Sequence, residues 1–129
     1  MPPRRYDERG AAVVDFVLVL VVLVPLLLGL LQLGLVLHVR NTLTAAASEG
    51  ARYAATVDRG PAEGAARTRQ QVRDALSGRF ARHVSAREVM VDGVPGVRVD
   101  VRAEVPPLGL WGPAVRLDLS GHAVEEVLP

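Results

Sequence analysis

The side chains that usually carry catalysis or bind metals are scattered in this sequence of 129 residues. There is no Cys, which excludes thiolate catalysis and disulfides. The histidines His38, His83 and His122 fall in three separate predicted elements without metal-ligand spacing. His122 and Glu125 are close in sequence, but a strand would point them to opposite faces. With no nucleophile elbow or phosphate loop either, we expect a protein that is not an enzyme and takes no metal, cofactor or small-molecule substrate.

One carboxylate, Asp15, is notable because it lies at the start of a long apolar run. No Asp, Glu, Lys or Arg occurs from Phe16 to Val39. A helix of residues 16–37 would be about 33 Å long, and the hydrocarbon core of a bilayer is about 30 Å thick. We therefore predict a single transmembrane helix, placed at residues 11–37, with the lipid bilayer as its first partner.

The basic residues predict the orientation of this helix. Arg4, Arg5 and Arg9 precede it, whereas only Arg40 lies close to its other end. By the positive-inside rule, residues 1–10 are cytoplasmic and the bulk of the chain is extracytoplasmic. The alternative is a cleaved secretory signal, but the apolar region of such a signal is only about 7–15 residues long.

The helix is predicted to continue beyond the membrane, over residues 38–57, because no helix-breaking residue occurs there. Small residues at helical spacing give this extension a helix-packing face, formed by Ala46, Ala47, Gly50, Ala51 and Ala54. This face would contact either a second helix of the same chain or other subunits. Gln32 also has two interpretations: a hydrogen bond within its own helix or near the outer boundary, or one to a neighbouring helix.

A Gly-Pro pair at residues 60–61 begins a second, amphipathic helix. It is predicted to run from Pro61 to about Arg82, and Gly78 favours an earlier end near Ser77. Its predicted buried stripe comprises Ala62, Ala65, Ala66, Val72, Leu76 and Phe80. Its arginines are interspersed with acidic residues and lack aromatic neighbours, so we interpret them as a solvated face and expect no nucleic-acid partner.

The last third of the chain has the periodicity of strands. Apolar and charged residues alternate from Val97 to Val105, which is typical of a half-buried strand. Shorter patterns predict strands at Arg87–Val91 and from Val115 towards Val127, giving a small three-stranded antiparallel sheet covered by the second helix. Residues 61–129 would thus form a small extracytoplasmic domain of an α+β membrane protein. Trp111 would be either a core residue or a contact for a partner or for lipid headgroups.

Two stretches of the chain form a recognisable combination. The first is ERGAAVVDFVLVL at Glu8–Leu20, with Gly, four small or apolar residues, an acidic residue, an aromatic residue and then the apolar run. The second is LTAAASEGARYAA at Leu43–Ala55, an alanine-rich segment that contains Glu-Gly-Ala-Arg. Together they resemble the TadE family, the minor pilin-like proteins of the Tad (tight adherence) pilus system. Asp15 stands where that family usually has Glu.

The resemblance implies a cut by a prepilin-type peptidase between Gly10 and Ala11. It also implies that Asp15, followed by Phe16, pairs with the new α-amino group of a neighbouring subunit. Further implied partners are other pilin-like subunits and the Tad inner-membrane platform. The implied function is that of a non-enzymatic minor pseudopilin, which assists assembly of a Flp-type pilus for adherence or secretion in the bacterial inner membrane. The alternative is a single-pass membrane-anchored binding or scaffold domain of the cell envelope that is unrelated to pili.

Overall fold

The computed structural model describes residues 5–56, 58–108 and 112–125. These residues form one long helix, one short helix, a 3₁₀ turn and an antiparallel sheet, which confirms the predicted α+β fold class. In chain order the elements are helix α1 (Arg5–Ala54), helix α2 (Pro61–Ala75), the 3₁₀ helix Gly78–Ala81, and strands β1 (His83–Val91), β2 (Val94–Val105) and β3 (Val115–Val124).

Helix α1 dominates the molecule. Its 50 residues, at 1.5 Å per residue, make it about 75 Å long, and it continues through Pro25 without interruption. Its first part carries no buried residue, whereas Val39 and Leu43 are almost completely buried. The same helix therefore contributes a free apolar half and a half that packs in the domain. It ends at Ala54, and Val57, the expected end, lies outside the described residues.

The sheet is an antiparallel meander in the order β1-β2-β3. A two-residue turn joins β1 to β2, with positive φ at Asp92 (50°) and Gly93 (81°), as a type I′ turn requires. Strand β1 begins at His83, four residues before its predicted start at Arg87. Residues 83–86 lack a clear alternation of their own and are drawn into the sheet by pairing with residues 99–102 of β2.

Both helices pack on one face of the sheet. The domain half of α1 lies over β2 and β3, and α2 lies over β1. The apolar side chains of β2 point into this layer and are nearly inaccessible to solvent; they are Val97, Val99, Val101, Ala103 and Val105. The sequence pattern predicts that the second helix covers the sheet. The first helix does most of this covering, because its packed half lies over β2 and β3 and leaves mainly β1 to α2.

Helix α2 differs from its prediction in length and in the face that it buries. At its start, the Glu63 carboxylate accepts a 3.0 Å hydrogen bond from the Gly60 backbone N–H. It ends at Ala75, close to the earlier end near Ser77 that Gly78 favours, and a 3₁₀ helix follows instead of a continuation to Arg82. The buried residues of α2 are Gly64, Ala65, Thr68 and Val72, whereas Ala62 and Ala66 of the predicted stripe are exposed. The stripe is shifted because α2 packs against α1 as well as against the sheet.

Candidate assembly helix and its attachment to the domain

The first half of α1 is an unburied apolar rod. From Val13 to Leu31 nearly every large side chain is exposed, including Phe16 (63%) and Val22 (70%). Within the described residues, α1 is the one helix long and apolar enough to cross a membrane, and none of its most apolar window is buried. A core helix of a soluble protein would be covered by other elements. The chain is a single-pass membrane protein.

The residues predicted to act in processing and pairing all lie on this exposed rod. A Cβ atom on Gly10 would meet no other atom within 4 Å, so the backbone is open at this point. Ala11 follows directly, and Asp15 lies one helical turn beyond it, next to Phe16. Asp15 forms no ion pair with any residue that the structure describes. The rod therefore presents an unpaired carboxylate on a surface that no other part of the described chain covers.

Gln32 attaches the rod to the domain. Its side-chain Nε2 donates a 3.1 Å hydrogen bond to the backbone oxygen of Pro106, and its Oε1 accepts a 2.8 Å hydrogen bond from the backbone N–H of Leu108. We call this pair of hydrogen bonds the Gln32 clamp. It holds the segment after β2 against α1, so Gln32 hydrogen-bonds to a distant, non-helical part of its own chain.

The five small residues of the helix-packing face are buried within the chain. Ala47, Ala51 and Ala54 are at most 1% exposed, and Ala46 and Gly50 are also buried. A Cβ atom on Gly64 of α2 would lie 2.6 Å from the Cβ of Ala54, which leaves room only for glycine. On the sheet side, Gly121 of β3 lies against the backbone of Ala47 and Ser48. The face therefore packs against α2 and β3 of the same chain.

Thr68 of α2 contributes a hydrogen bond where α2 crosses α1. It is completely buried, and its hydroxyl lies 2.9 Å from the Gly64 carbonyl oxygen and 3.3 Å from the carbonyl oxygen of Ala46 on α1. A buried hydroxyl without partners would cost free energy, whereas here both acceptors are backbone oxygens. Thr68 did not stand out in the sequence, because its partner lies 22 residues away on another helix.

The outer face of the sheet carries charged residues in opposed pairs. Arg98 contacts Asp100 at 2.9 Å, and two cross-strand pairs lie at 3.5 Å: Arg102 with Asp118, and Arg116 with Glu104. His83 and His122 are exposed. Among the described residues, no group of three or more His, Asp or Glu side chains is placed to hold a metal ion. Exposed ion pairs of this kind contribute little to the stability of the fold. Their charged groups keep this face of the sheet in water.

The exposed apolar rod and its open glycine lie within one continuous stretch of α1, and this stretch corresponds to a known family. Residues 10–52 match the family model described as TadE-like protein. The match covers about a third of the chain, and it confirms the resemblance carried by the two sequence stretches. We call residues 10–52 the TadE-like segment. No curated protein and no solved structure matches the chain.

The TadE-like segment coincides with most of α1. It begins at Gly10, includes Asp15 and the Gln32 clamp residue, and ends two residues before the helix does. The match supports an association with the Tad pilus system, and it leaves α2 and the sheet outside its bounds. The match therefore includes the part of α1 that packs in the domain but not the elements that pack against it.

Proposed function

We propose that the chain is a TadE-like minor pseudopilin, a non-enzymatic component of Flp/Tad pilus assembly. The observation that carries the proposal is the match of residues 10–52 to the TadE-like family. The exposed first half of α1 supports it, because a helix that assembles with others needs a free apolar surface. In this proposal the N-terminus is cytoplasmic, the helix crosses the bacterial inner membrane and the domain is extracytoplasmic.

Processing would begin at Gly10. A prepilin-type peptidase would cut between Gly10 and Ala11, where the glycine has no side chain and the surrounding space is open. The cut would leave a positively charged α-amino group on Ala11. Because Asp15 lies one turn along the helix, the mature end would carry both a cation and an anion.

Assembly would then use these two charges between subunits. An ionised carboxylate at the centre of a transmembrane helix costs about 2.5–3.5 kcal/mol on insertion scales, and a partner cation offsets part of that cost. Pairing of Asp15 with the Ala11 amine of a neighbouring pilin-like subunit would therefore favour one axial stagger. Phe16 and the other exposed apolar side chains of the rod would supply the packing contacts. The Tad inner-membrane platform would receive the assembled subunits.

Substitution of Asp15 in the full chain tests this function. We expect Asp15→Ala to remain in the membrane fraction but to lose in-cell cross-links to pilin-like subunits, together with surface pili. Asp15→Glu should retain both, because it keeps the carboxylate. Val19→Ala is the matched control, since Val19 lies one turn further along the helix and is 59% exposed. Wild-type cross-linking and piliation by Asp15→Ala would overturn the proposal and favour an anchored binding or scaffold domain.

A further inference from the structure

The structure points to a new membrane-contact site at the Gln32 clamp. We propose that the clamp marks the domain-side boundary of the hydrocarbon core. Residues 106–108 would rest in the lipid headgroup layer, and residues 11–31 would cross the bilayer. The partner of this site is a lipid surface. Contact with it would fix the depth of each residue of the rod in the bilayer.

The first argument comes from the backbone of residues 106–108. This segment follows β2 and is neither helix nor strand. Irregular backbone exposed to lipid does not occur within the hydrocarbon region, because its polar groups would lack partners. Two hydrogen bonds hold the segment beside Gln32. The hydrocarbon must therefore end before the level of Gln32.

The second argument is the change in burial along α1 at the same level. Up to Leu31, which is 54% exposed, the helix touches little of the domain. From Gln32 onward one side of it is covered: Leu35 and Val36 pack against the domain core, and Val39 is 1% exposed. The domain begins where the clamp lies, and it cannot enter the hydrocarbon.

The third argument is the chemistry of the clamped segment. Pro106 and Pro107 are partly buried, while the side chain of Leu108 is 48% exposed. No charged residue occurs in the sequence between Glu104 and Arg116. An uncharged segment with an exposed Leu, attached next to an apolar rod, suits the boundary between headgroups and hydrocarbon, where apolar side chains are buried and backbone groups stay hydrated.

This boundary changes the expected depth of Asp15. Residues 11–31 form a helix about 31 Å long, which matches a hydrocarbon core of about 30 Å. Asp15 lies about 24 Å along the axis from Leu31, so it would lie about 6 Å inside the far edge of the core. If the span were residues 16–37, Asp15 would lie outside the hydrocarbon. The clamp thus places the Asp15 carboxylate about one helical turn inside the hydrocarbon core, where a partner cation would offset its burial. The need for that cation rests on the proposed function, whereas the position of the boundary does not.

Single-cysteine labelling of the full chain in phosphatidylcholine–phosphatidylglycerol vesicles tests the boundary. The chain contains no Cys, so each introduced thiol reports alone. Vesicles are freeze–thawed with a charged maleimide, which reaches thiols in water on both sides. Val13→Cys and Leu37→Cys distinguish a span of residues 11–31 from a span of residues 16–37. Val13 would lie in lipid in the first case and in water in the second, and Leu37 the opposite. Both residues are exposed in the structure. Leu23→Cys is the protected control, and Asn41→Cys is the accessible control.

We expect Leu37→Cys to label as fast as Asn41→Cys, and Val13→Cys to label as slowly as Leu23→Cys. Protection of Leu37→Cys would overturn the boundary, whether Val13→Cys is accessible, as for a span of residues 16–37, or protected, as for a span of residues 11–37. Gln32→Leu should break the clamp without adding charge, and we expect it to slow labelling at position 37 and accelerate it at position 13. Unchanged labelling in this variant would refute the role of the clamp. None of these readouts depends on pilus assembly, so failure here and failure of the Asp15 test are distinguishable.

Discussion

Gly50 of α1 and Gly64 of α2 face each other where the two helices cross. A Cβ atom on either residue would lie 2.8 Å from the carbonyl oxygen of the other, which is closer than side-chain carbons approach backbone oxygens. The crossing therefore brings two backbones into contact. Substitutions that add atoms at this contact should therefore disturb the packing of α2 on the TadE-like segment.

We expect Gly64→Ala to destabilise the domain. The added methyl group would lie 2.6 Å from the Cβ of Ala54, and overpacking of this kind costs about 1–3 kcal/mol. Part of that cost is offset by the higher helix propensity of Ala, by up to about 1 kcal/mol. Hydrogen exchange of the slowest amides in β2 measures the effect, because these amides exchange through global opening of the domain.

Gly34→Ala is the matched control for this prediction. A Cβ on Gly34 meets nothing within 4 Å, so this variant gains helix propensity without a clash and should leave β2 exchange unchanged or slow it. If the β2 amides exchanged as slowly in Gly64→Ala as in Gly34→Ala, the close approach of α1 and α2 would be contradicted.

The hydroxyl of Thr68 should contribute measurably to the same crossing. Thr68→Val keeps the shape of the side chain and removes the hydroxyl, whose single proton is shared between the carbonyl oxygens of Gly64 and Ala46, at a cost of about 0.5–1.5 kcal/mol. We expect β2 amides to exchange about two- to tenfold faster. Thr44→Val serves as the comparison, because Thr44 makes the same type of bond to Arg40, at 2.8 Å, on an exposed helix surface. Equal effects of the two substitutions would show that burial of Thr68 adds nothing.

Gly10→Val should block processing without disturbing the fold. A Cβ atom at position 10 meets no atom of another element within 4 Å, so we expect a loss of the mature form to report on the peptidase and not on folding. Gly29→Val introduces the same change at an equally open glycine within the span and should be processed normally. Intact-mass measurement of the membrane-extracted chain distinguishes a mature form that begins at Ala11 from the full-length form. A mature Gly10→Val chain, or an unprocessed wild-type chain, would contradict the proposed cut.

The elements with strong periodicity could be predicted from the sequence. The apolar run reflects burial in lipid, and the alternation from Val97 to Val105 reflects burial of one face of the sheet. The extent of β1 could not be predicted, because its first residues become a strand through pairing with β2. The shifted stripe of α2 was missed because Ala62 and Ala65 look equivalent until the approach of α1 decides between them.

The Gln32 clamp shows most clearly where sequence reasoning ends. A polar residue near the end of an apolar run indicated a hydrogen bond, but the acceptor and donor are backbone groups more than 70 residues away. Backbone groups carry no side-chain signature, so no pattern could identify them. Trp111, for which the sequence left two interpretations, lies outside the described residues. Gly10 and Asp15 both lie on the exposed part of α1, and their roles in processing and pairing are predictions from the family resemblance.

The continuity of α1 has a mechanical consequence. No linker separates the half that crosses the membrane from the half that is fixed in the domain by Leu43, Gly50 and the sheet. The chain therefore transmits force as a stiff rod, and a pull or a twist applied to the domain reaches the bilayer end of the helix with little slack. A subunit built in this way moves as one body, so withdrawal of the helix from the membrane also displaces the domain, and rotation of the domain also turns the helix.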